Sequence, residues 1–481
     1  MTMRNLTMMT DLYELTMMYG YLRENMQDRR AVFDMFYRGQ PDKQRHAVMA
    51  GVEQLADYIR DLHFSEKDLG YLRSLKLFDE DFMAALKNFR FTGDIQAVPE
   101  GTIVFPGEPL VRVEAPLFQA QLVETALLNL IGHQMLIATK ANRIAREAQG
   151  DTVMEFGLRR AQGPDAGTWG ARAAVIGGAA STSNVMTGLL FDIPVSGTHA
   201  HSWVMSFPSE LESFRAYARC FPDTCLLLVD TYDTLASGVP NAITVFKELR
   251  AMGHEAKGIR LDSGDLAYLS IRARKMLDEA GFPDALIAAS GDLDEYLIRE
   301  LKTQGARINL WGVGTKLITS ADMSSLGCVY KLSAMEDTHG SMQAKMKISD
   351  NIAKITLPGK KDLWRLYDPN GMAIADYITL AGETPDDRKP LTIFDPDEVW
   401  KKMTLTEFTA VKLQQPLFKK GIFVGTKRTP KEIALFRAKD EKTLWEQYLR
   451  TQAPHRYKVD LSDRLWALRA DLLEQAGGDN T

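Results

Sequence analysis

The chain is short of cysteine, of long apolar runs and of charge of one sign, and each shortage excludes something. Three cysteines in 481 residues (Cys220, Cys225 and Cys328) cannot form a disulfide framework. None belongs to a CxxC pair, which argues against a thiolate zinc site. They read as small buried hydrophobes in a reducing compartment. No stretch approaches the roughly 18 apolar residues of a membrane helix. The opening segment is rich in methionine but carries Asp11 and Glu14 where a signal peptide needs unbroken apolar sequence. Lysine and arginine (58) nearly balance aspartate and glutamate (63), and the charge is spread out, against a dominant nucleic-acid surface. A cytoplasmic protein with no membrane and no nucleic-acid partner is expected. There is also no GxGxxG turn, the usual opening of a dinucleotide-binding sheet.

What is present is an ordinary globular composition, 45% apolar and 25% charged. Size scaling lets a chain of this mass bury about 77% of its unfolded surface, so it needs no covalent staples. Residues 1–115 mix amphipathic helices (10–26 and 47–62) with alternating segments near 91–97, 102–105 and 110–114, predicting an N-terminal α+β domain. Pro116 is placed to open a long helix that runs to about Glu147.

Across 116–340, apolar runs begin near Val153, Ile193, Leu226, Ile259, Leu286 and Ile308, most followed by a helical segment. That rhythm predicts βαβ units and a parallel sheet, with Gly327–Met335 as a further strand. Residues 341–481 read as a C-terminal region packing partly with the N-terminal domain. It holds a hairpin over 364–377 turning at Asp368–Gly371, a polar linker over 381–397, helices around 429–449 and 461–475, and a frayed tail from Gly477.

The ends of the apolar runs separate a barrel from an open sheet. Each run leads into a polar or glycine-rich cluster: EFGLRR (155–160), SGTHAHS (196–202), DTYDT (230–234), RLDSGDL (260–266), SGDLDE (290–295) and WGVGTK (311–316). Functional groups on six strand tips suit the loop face of an α/β barrel, where side chains from many strands converge.

Several clusters point to phosphate chemistry, each with an ordinary alternative. Gly312, Gly314 and Thr315 can form an anion nest at a late strand tip, or simply a tight turn. Arg260 and Asp262 share one face of a strand end, as site residues or as a plain ion pair, with Asp265 able to cap the next helix. Asp230, Asp233 and Asp292 stand on other tips, and such carboxylates can hold Mg²⁺ together with phosphate oxygens and waters. His199 and His201 fit either a zinc chelate or a phosphoryl-accepting imidazole; the other alternative is one structural and one exposed histidine. The remaining histidines occupy none of the later strand ends, which weakens the chelate. Of Arg159 and Arg160, adjacent in a segment read as extended, one should face inward to hold a carboxylate or phosphate. Tyr13 reads as core or interface packing, and the Met8–Met18 cluster as apolar packing.

In this order, TDLYELTM (10–17), EFGLRRAQG (155–163), GTHAHSW (197–203), RLDSGDL (260–266) and WGVGTKLIT (311–319) resemble nicotinate phosphoribosyltransferase, with GGAASTSN (177–184) and LGCVYKLS (326–333) in support. The resemblance spans roughly residues 8–380. It implies a type II phosphoribosyltransferase fold: an irregular α/β barrel plus a second α+β domain formed by the N-terminal region and later segments. It also implies a homodimer with active sites near the interface. The implied activity condenses nicotinate with phosphoribosyl pyrophosphate, giving nicotinate mononucleotide and pyrophosphate in NAD salvage. The resemblance also implies ATP as a co-substrate, hydrolysed through a phosphohistidine in a ligase-type reaction, and Mg²⁺ as the metal. Carried over by motif, His201 is the phosphorylated residue, and Tyr13, Thr198 and Arg260 contact nicotinate. Thr315 falls at the phosphoribosyl pyrophosphate site, with Gly312, Gly314 and Arg159 beside it and Asp262 for Mg²⁺. His199 departs from the usual GTxAHS pattern and leaves two imidazoles to choose between. Phosphoribosyltransferases for nicotinamide or quinolinate are the nearest competitors.

Overall fold

The computed structural model describes residues 5–39, 45–349 and 354–478; residues 479–481 of the expected tail lie outside them. It divides into two compact units. One comprises Met1–Leu136, Ser325–Arg428 and Leu435–Thr481, and the other Ile137–Ser324 and Thr429–Ala434. The borders expected at 115/116 and 340/341 differ from these for a packing reason. Residues 117–122 belong with the N-terminal segment, because Phe118 packs its ring against Phe82 and Phe89, with centroids 5.9 and 6.2 Å away.

The barrel unit is built on six parallel strands: β1 (Thr152–Glu155), β2 (Ser181–Thr182), β3 (Leu226–Leu228), β4 (Gly258–Leu261), β5 (Leu286–Gly291) and β6 (Leu310–Val313). Their order is β2-β1-β6-β5-β4-β3. Registers such as Leu228↔Arg260, Arg260↔Ala288 and Ala288↔Leu310 bring the strands' C-terminal ends to one rim. Helices Pro164–Gly177, Val239–Ala251, Leu266–Glu279 and Glu295–Thr303 connect them. Buried Leu227, Ile259, Ile287, Trp311 and Val153 account for the apolar runs.

Two of the expected strands differ. The run at Ile193 contributes only one parallel bridge, Thr182↔Val195, because Pro194 has no N–H to donate to a ladder. Gly327–Met335 does lead into a strand (Cys328–Glu336), but that strand pairs antiparallel with Arg30–Tyr37 in the other unit. Pro116 ends a strand and precedes a helix over Leu117–Leu122, after which Glu124–Glu147 forms the long helix.

The second unit carries a seven-stranded antiparallel sheet centred on Arg30–Tyr37, Val111–Pro116 and Asp94–Ala97. A further four-stranded sheet contains the expected hairpin, Lys361–Tyr367 paired with Ala373–Leu380. Gly371 turns it with φ +79°, left-handed backbone that a side chain would strain. Arg365 is fully buried there and grips Asp376 through two hydrogen bonds of 2.8 and 2.7 Å. The segment expected as a linker contains a strand, Leu391–Phe394, paired with Lys402–Leu405. Among the described residues, no helix is long and apolar enough to cross a membrane.

Candidate active site

The rim of the barrel unit gathers residues from four of the predicted clusters around one guanidinium, with a fifth behind them. Arg260, on β4, donates from Nε to the Ser290 hydroxyl (2.7 Å) and from Nη2 to Asp262 Oδ1 (2.8 Å). Its Nη1 donates to the Thr198 hydroxyl (3.0 Å) and the His199 carbonyl (3.4 Å). The predicted shared face of Arg260 and Asp262 is thus an ion pair inside a wider network. Ser290, at the tip of β5, also donates to Asp262. Phe156, beyond β1, sets its ring centroid 6.0 Å from the Arg260 guanidinium carbon.

Asp262 is ionised by its surroundings. Burial works against the charge, but the Ser290 hydroxyl, Arg260 and His201 outweigh it and hold the carboxyl below its ordinary range. Behind it, buried Asp230 accepts the Asp262 N–H (2.8 Å) and the Ser263 hydroxyl (2.7 Å) on Oδ2, while its buried Oδ1 has no hydrogen-bond partner. Asp265 caps the helix Leu266–Glu279 by accepting the Tyr268 N–H, as its position predicts. Asp233 is occupied with the backbone N–H groups of Leu235 and Ala236.

The two histidines have different environments. His201 opens the short helix His201–Met205, with Nδ1 3.0 Å from the Thr231 hydroxyl and Nε2 3.7 Å from Asp262 Oδ2. His199 is 7% exposed, and its Nε2 accepts the backbone N–H of Leu228 at 3.2 Å. Burial pushes its pKa down to about 4; the Ala200 backbone acts the other way, and Arg260 and His201 add to the fall. The two imidazoles therefore make no common chelate. Among the described residues, no group of three or more His, Cys, Asp or Glu is placed to hold a metal.

At the β6 tip, Gly314 precedes the short helix Thr315–Ile318, with Thr315 half-buried at its start. Gly312 lies inside β6, where an added Cβ would stand 2.7 Å from two carbons of the Phe156 ring. Close packing under that ring is a sufficient reason for this glycine. Arg159 and Arg160 are both exposed in a 3₁₀ turn, Leu158–Arg160, so the alternation expected of an extended segment does not apply. Buried Glu155 shapes that turn, accepting the Gly157 N–H and the Thr182 hydroxyl. Burial raises its pKa against those hydrogen bonds. Tyr13 is not in this unit; it is exposed on the helix Leu12–Arg23 of the other. Phe156, Thr231 and Ser290 were not singled out from the sequence. Their only signal was membership of strand-tip clusters.

Solved structures place this architecture among the type II phosphoribosyltransferases. The crystal structure of human nicotinic acid phosphoribosyltransferase matches with a TM-score of 0.85 and 30% identity, covering 96% of this chain and 99% of that one. Nicotinate-nucleotide pyrophosphorylase from Pyrococcus furiosus matches with a TM-score of 0.70 over 91% of this chain and 96% of that one; at 21% identity that likeness concerns the fold. Three family models follow one another along the sequence. They are the nicotinate phosphoribosyltransferase N-terminal domain (8–132), the nicotinate phosphoribosyltransferase family (152–363) and the nicotinate phosphoribosyltransferase C-terminal domain (360–469). A Bacillus subtilis nicotinate phosphoribosyltransferase is 47% identical over 96% of this chain and 94% of its own length. The chain belongs to the nicotinate phosphoribosyltransferase family.

Proposed function

We propose that this enzyme condenses nicotinate with phosphoribosyl pyrophosphate to nicotinate mononucleotide and pyrophosphate, in NAD salvage, with ATP hydrolysis coupled through a phosphohistidine at His201. The observation that carries the reading is the Arg260 cluster. A guanidinium held from three sides by Ser290, Thr198 and Asp262 is pre-aimed, and a fixed fork suits a planar carboxylate. Thr198 supplies a hydroxyl beside it, and the Phe156 ring offers a flat apolar surface for a pyridine. Tyr13 is assigned to the same ring by its place in the TDLYELTM motif.

In the transfer, the pyridine nitrogen attacks the anomeric carbon of the ribose as the bond to pyrophosphate breaks, and positive charge develops on the sugar. The chain's residues orient the base and hold the leaving group. Thr315 and Gly314 on the β6 tip, with Arg159, are assigned to phosphoribosyl pyrophosphate, while Gly312 supports that tip by letting the Phe156 ring pack closely against β6. The residues fit Mg²⁺ held jointly with phosphate oxygens, since Asp262 is ionised and Asp230 keeps an unpartnered buried oxygen. When bound, the ion would neutralise charge on the pyrophosphate. His201 receives the γ-phosphoryl group of ATP on an imidazole nitrogen as ADP leaves, and later passes it to water, releasing inorganic phosphate; the Thr231 hydroxyl holds the ring and Asp262 stands beside it. The added charge beside Asp262 and Arg260 couples phosphorylation to the binding cluster. A homodimer in the cytoplasm, with sites near the subunit interface, completes the proposal.

The test is product formation from nicotinate, phosphoribosyl pyrophosphate and Mg²⁺, with and without ATP. Nicotinate mononucleotide formed in both, and faster with ATP, is expected. Absence of product from folded protein overturns the reading.

A further inference from the structure

We infer that His199 is a positioning residue that closes the ring of strands in the barrel unit and thereby holds Thr198 and His201 in place. The inference rests on the functional reading above for what those two residues do, but its structural part stands by itself.

The six-stranded ladder has two edges, β2 and β3. The strap 193–199 lies against the first through backbone bonds: Thr182 N–H to Pro194 O (3.1 Å) and Ser196 N–H to Thr182 O (2.9 Å). Towards the second edge the bond runs through a side chain. Leu228, in β3, donates its N–H to His199 Nε2 at 3.2 Å. Leu228 is 1% exposed, so without that imidazole its N–H would be buried and unpaired.

The tautomer follows from the donor. An N–H can bond Nε2 only where that nitrogen presents a lone pair, which leaves the ring proton on Nδ1. Tyr217 packs edge-on against the ring with centroids 4.6 Å apart, and Phe214 stands 6.3 Å away. The ring is buried, and attachment of a phosphoryl group at Nε2 would break the bond to β3. At the backbone of the same residue, the His199 carbonyl accepts from Arg260 Nη1 (3.4 Å) and the Thr198 hydroxyl (3.3 Å). One residue thus ties the strap to β3 and β4, with Thr198 immediately before it and His201 two residues after. His199 is a fastening, and the functional reading keeps His201 as the reactive imidazole.

The experiment compares His199→Gln, which keeps an acceptor near Nε2, with His199→Leu, which keeps bulk and removes it. The readouts are KM for nicotinate and for phosphoribosyl pyrophosphate, phosphate labelling from γ-labelled ATP, and amide exchange at Leu228. The leucine variant is expected to raise the nicotinate KM about tenfold or more, leave the other KM within about twofold, and speed exchange at Leu228. The glutamine variant should return the nicotinate KM to within about threefold of wild type and keep its phosphate label. Wild-type constants and exchange in the leucine variant would overturn the inference, as would a label lost with His199 and kept in His201→Ala. Should the leucine variant not fold, an unprotected Leu228 amide in the wild-type enzyme would overturn it equally. Failure of the functional reading is distinguishable, because the wild-type enzyme would then make no product while Leu228 protection still tests the strap.

Discussion

Gly312 separates two accounts of the β6 tip, a phosphate nest and a packing requirement. The perturbation is Gly312→Ala. The added Cβ would stand 2.7 Å from Phe156 Cδ2 and Cε2, where carbon atoms normally sit about 3.5–4.0 Å apart. The ring must therefore retreat by roughly 1 Å, away from its place beside Arg260. Overpacking of this kind costs about 1–3 kcal/mol of stability. A displacement of that size beside a reacting centre can lower turnover by up to about 100-fold. Thermal unfolding and steady-state kinetics with each substrate varied provide the assay. The nicotinate constants should deteriorate while KM for phosphoribosyl pyrophosphate stays nearly unchanged. Adding Phe156→Leu should recover stability, because the two changes share one contact. A variant that loses phosphoribosyl pyrophosphate alone, with stability intact, would refute the packing account and restore the nest.

Three further outcomes are expected. Burial lowers the His199 pKa to about 4 in the folded chain against about 6.5 when unfolded, so the stability it contributes is present above pH 6.5 and lost as pH falls from 6.5 towards 4. That is about 3 kcal/mol, read as the difference between wild type and His199→Gln in denaturant titrations. The groups facing the ring are Arg260, His201 and Tyr217, and equal acid sensitivity of the two proteins would contradict the assignment. His201→Ala should abolish ATP stimulation and phosphate labelling while ATP-independent turnover survives; persistent labelling would exclude His201. Arg365→Leu leaves Asp376 as an uncompensated buried charge and should cost about 3–5 kcal/mol in chemical denaturation, with a loss under 1 kcal/mol counting against it.

Much of the rim was legible because each apolar run leads directly into its polar cluster, and a parallel sheet brings such ends to one side. The strand at Ile193 was not, since apolar residues announce burial but Pro194 cannot donate to a ladder. Cys328–Glu336 was visible as a strand, yet nothing in its alternation tells which sheet it joins. The choice between two imidazoles needed a backbone donor at Leu228, and no spacing rule supplies one. Ser290 and Thr231 are small hydroxyls at strand tips, where capping residues look the same. Arg159 was expected to alternate because EFGLRR was read as extended; the chain instead turns after Gly157.

The acid–amide selectivity of the enzyme tests the central claim most directly. If Arg260 pairs with the carboxylate, replacing that charge by a neutral amide forfeits a charge-assisted hydrogen bond, about 1.5–3 kcal/mol or roughly 10–150-fold in kcat/KM. The measurement is kcat/KM for nicotinate and for nicotinamide in one preparation. A ratio in that range favouring the acid, reduced towards unity in Arg260→Gln, is the predicted result. Equal use of both, or a preference for the amide, would contradict the account.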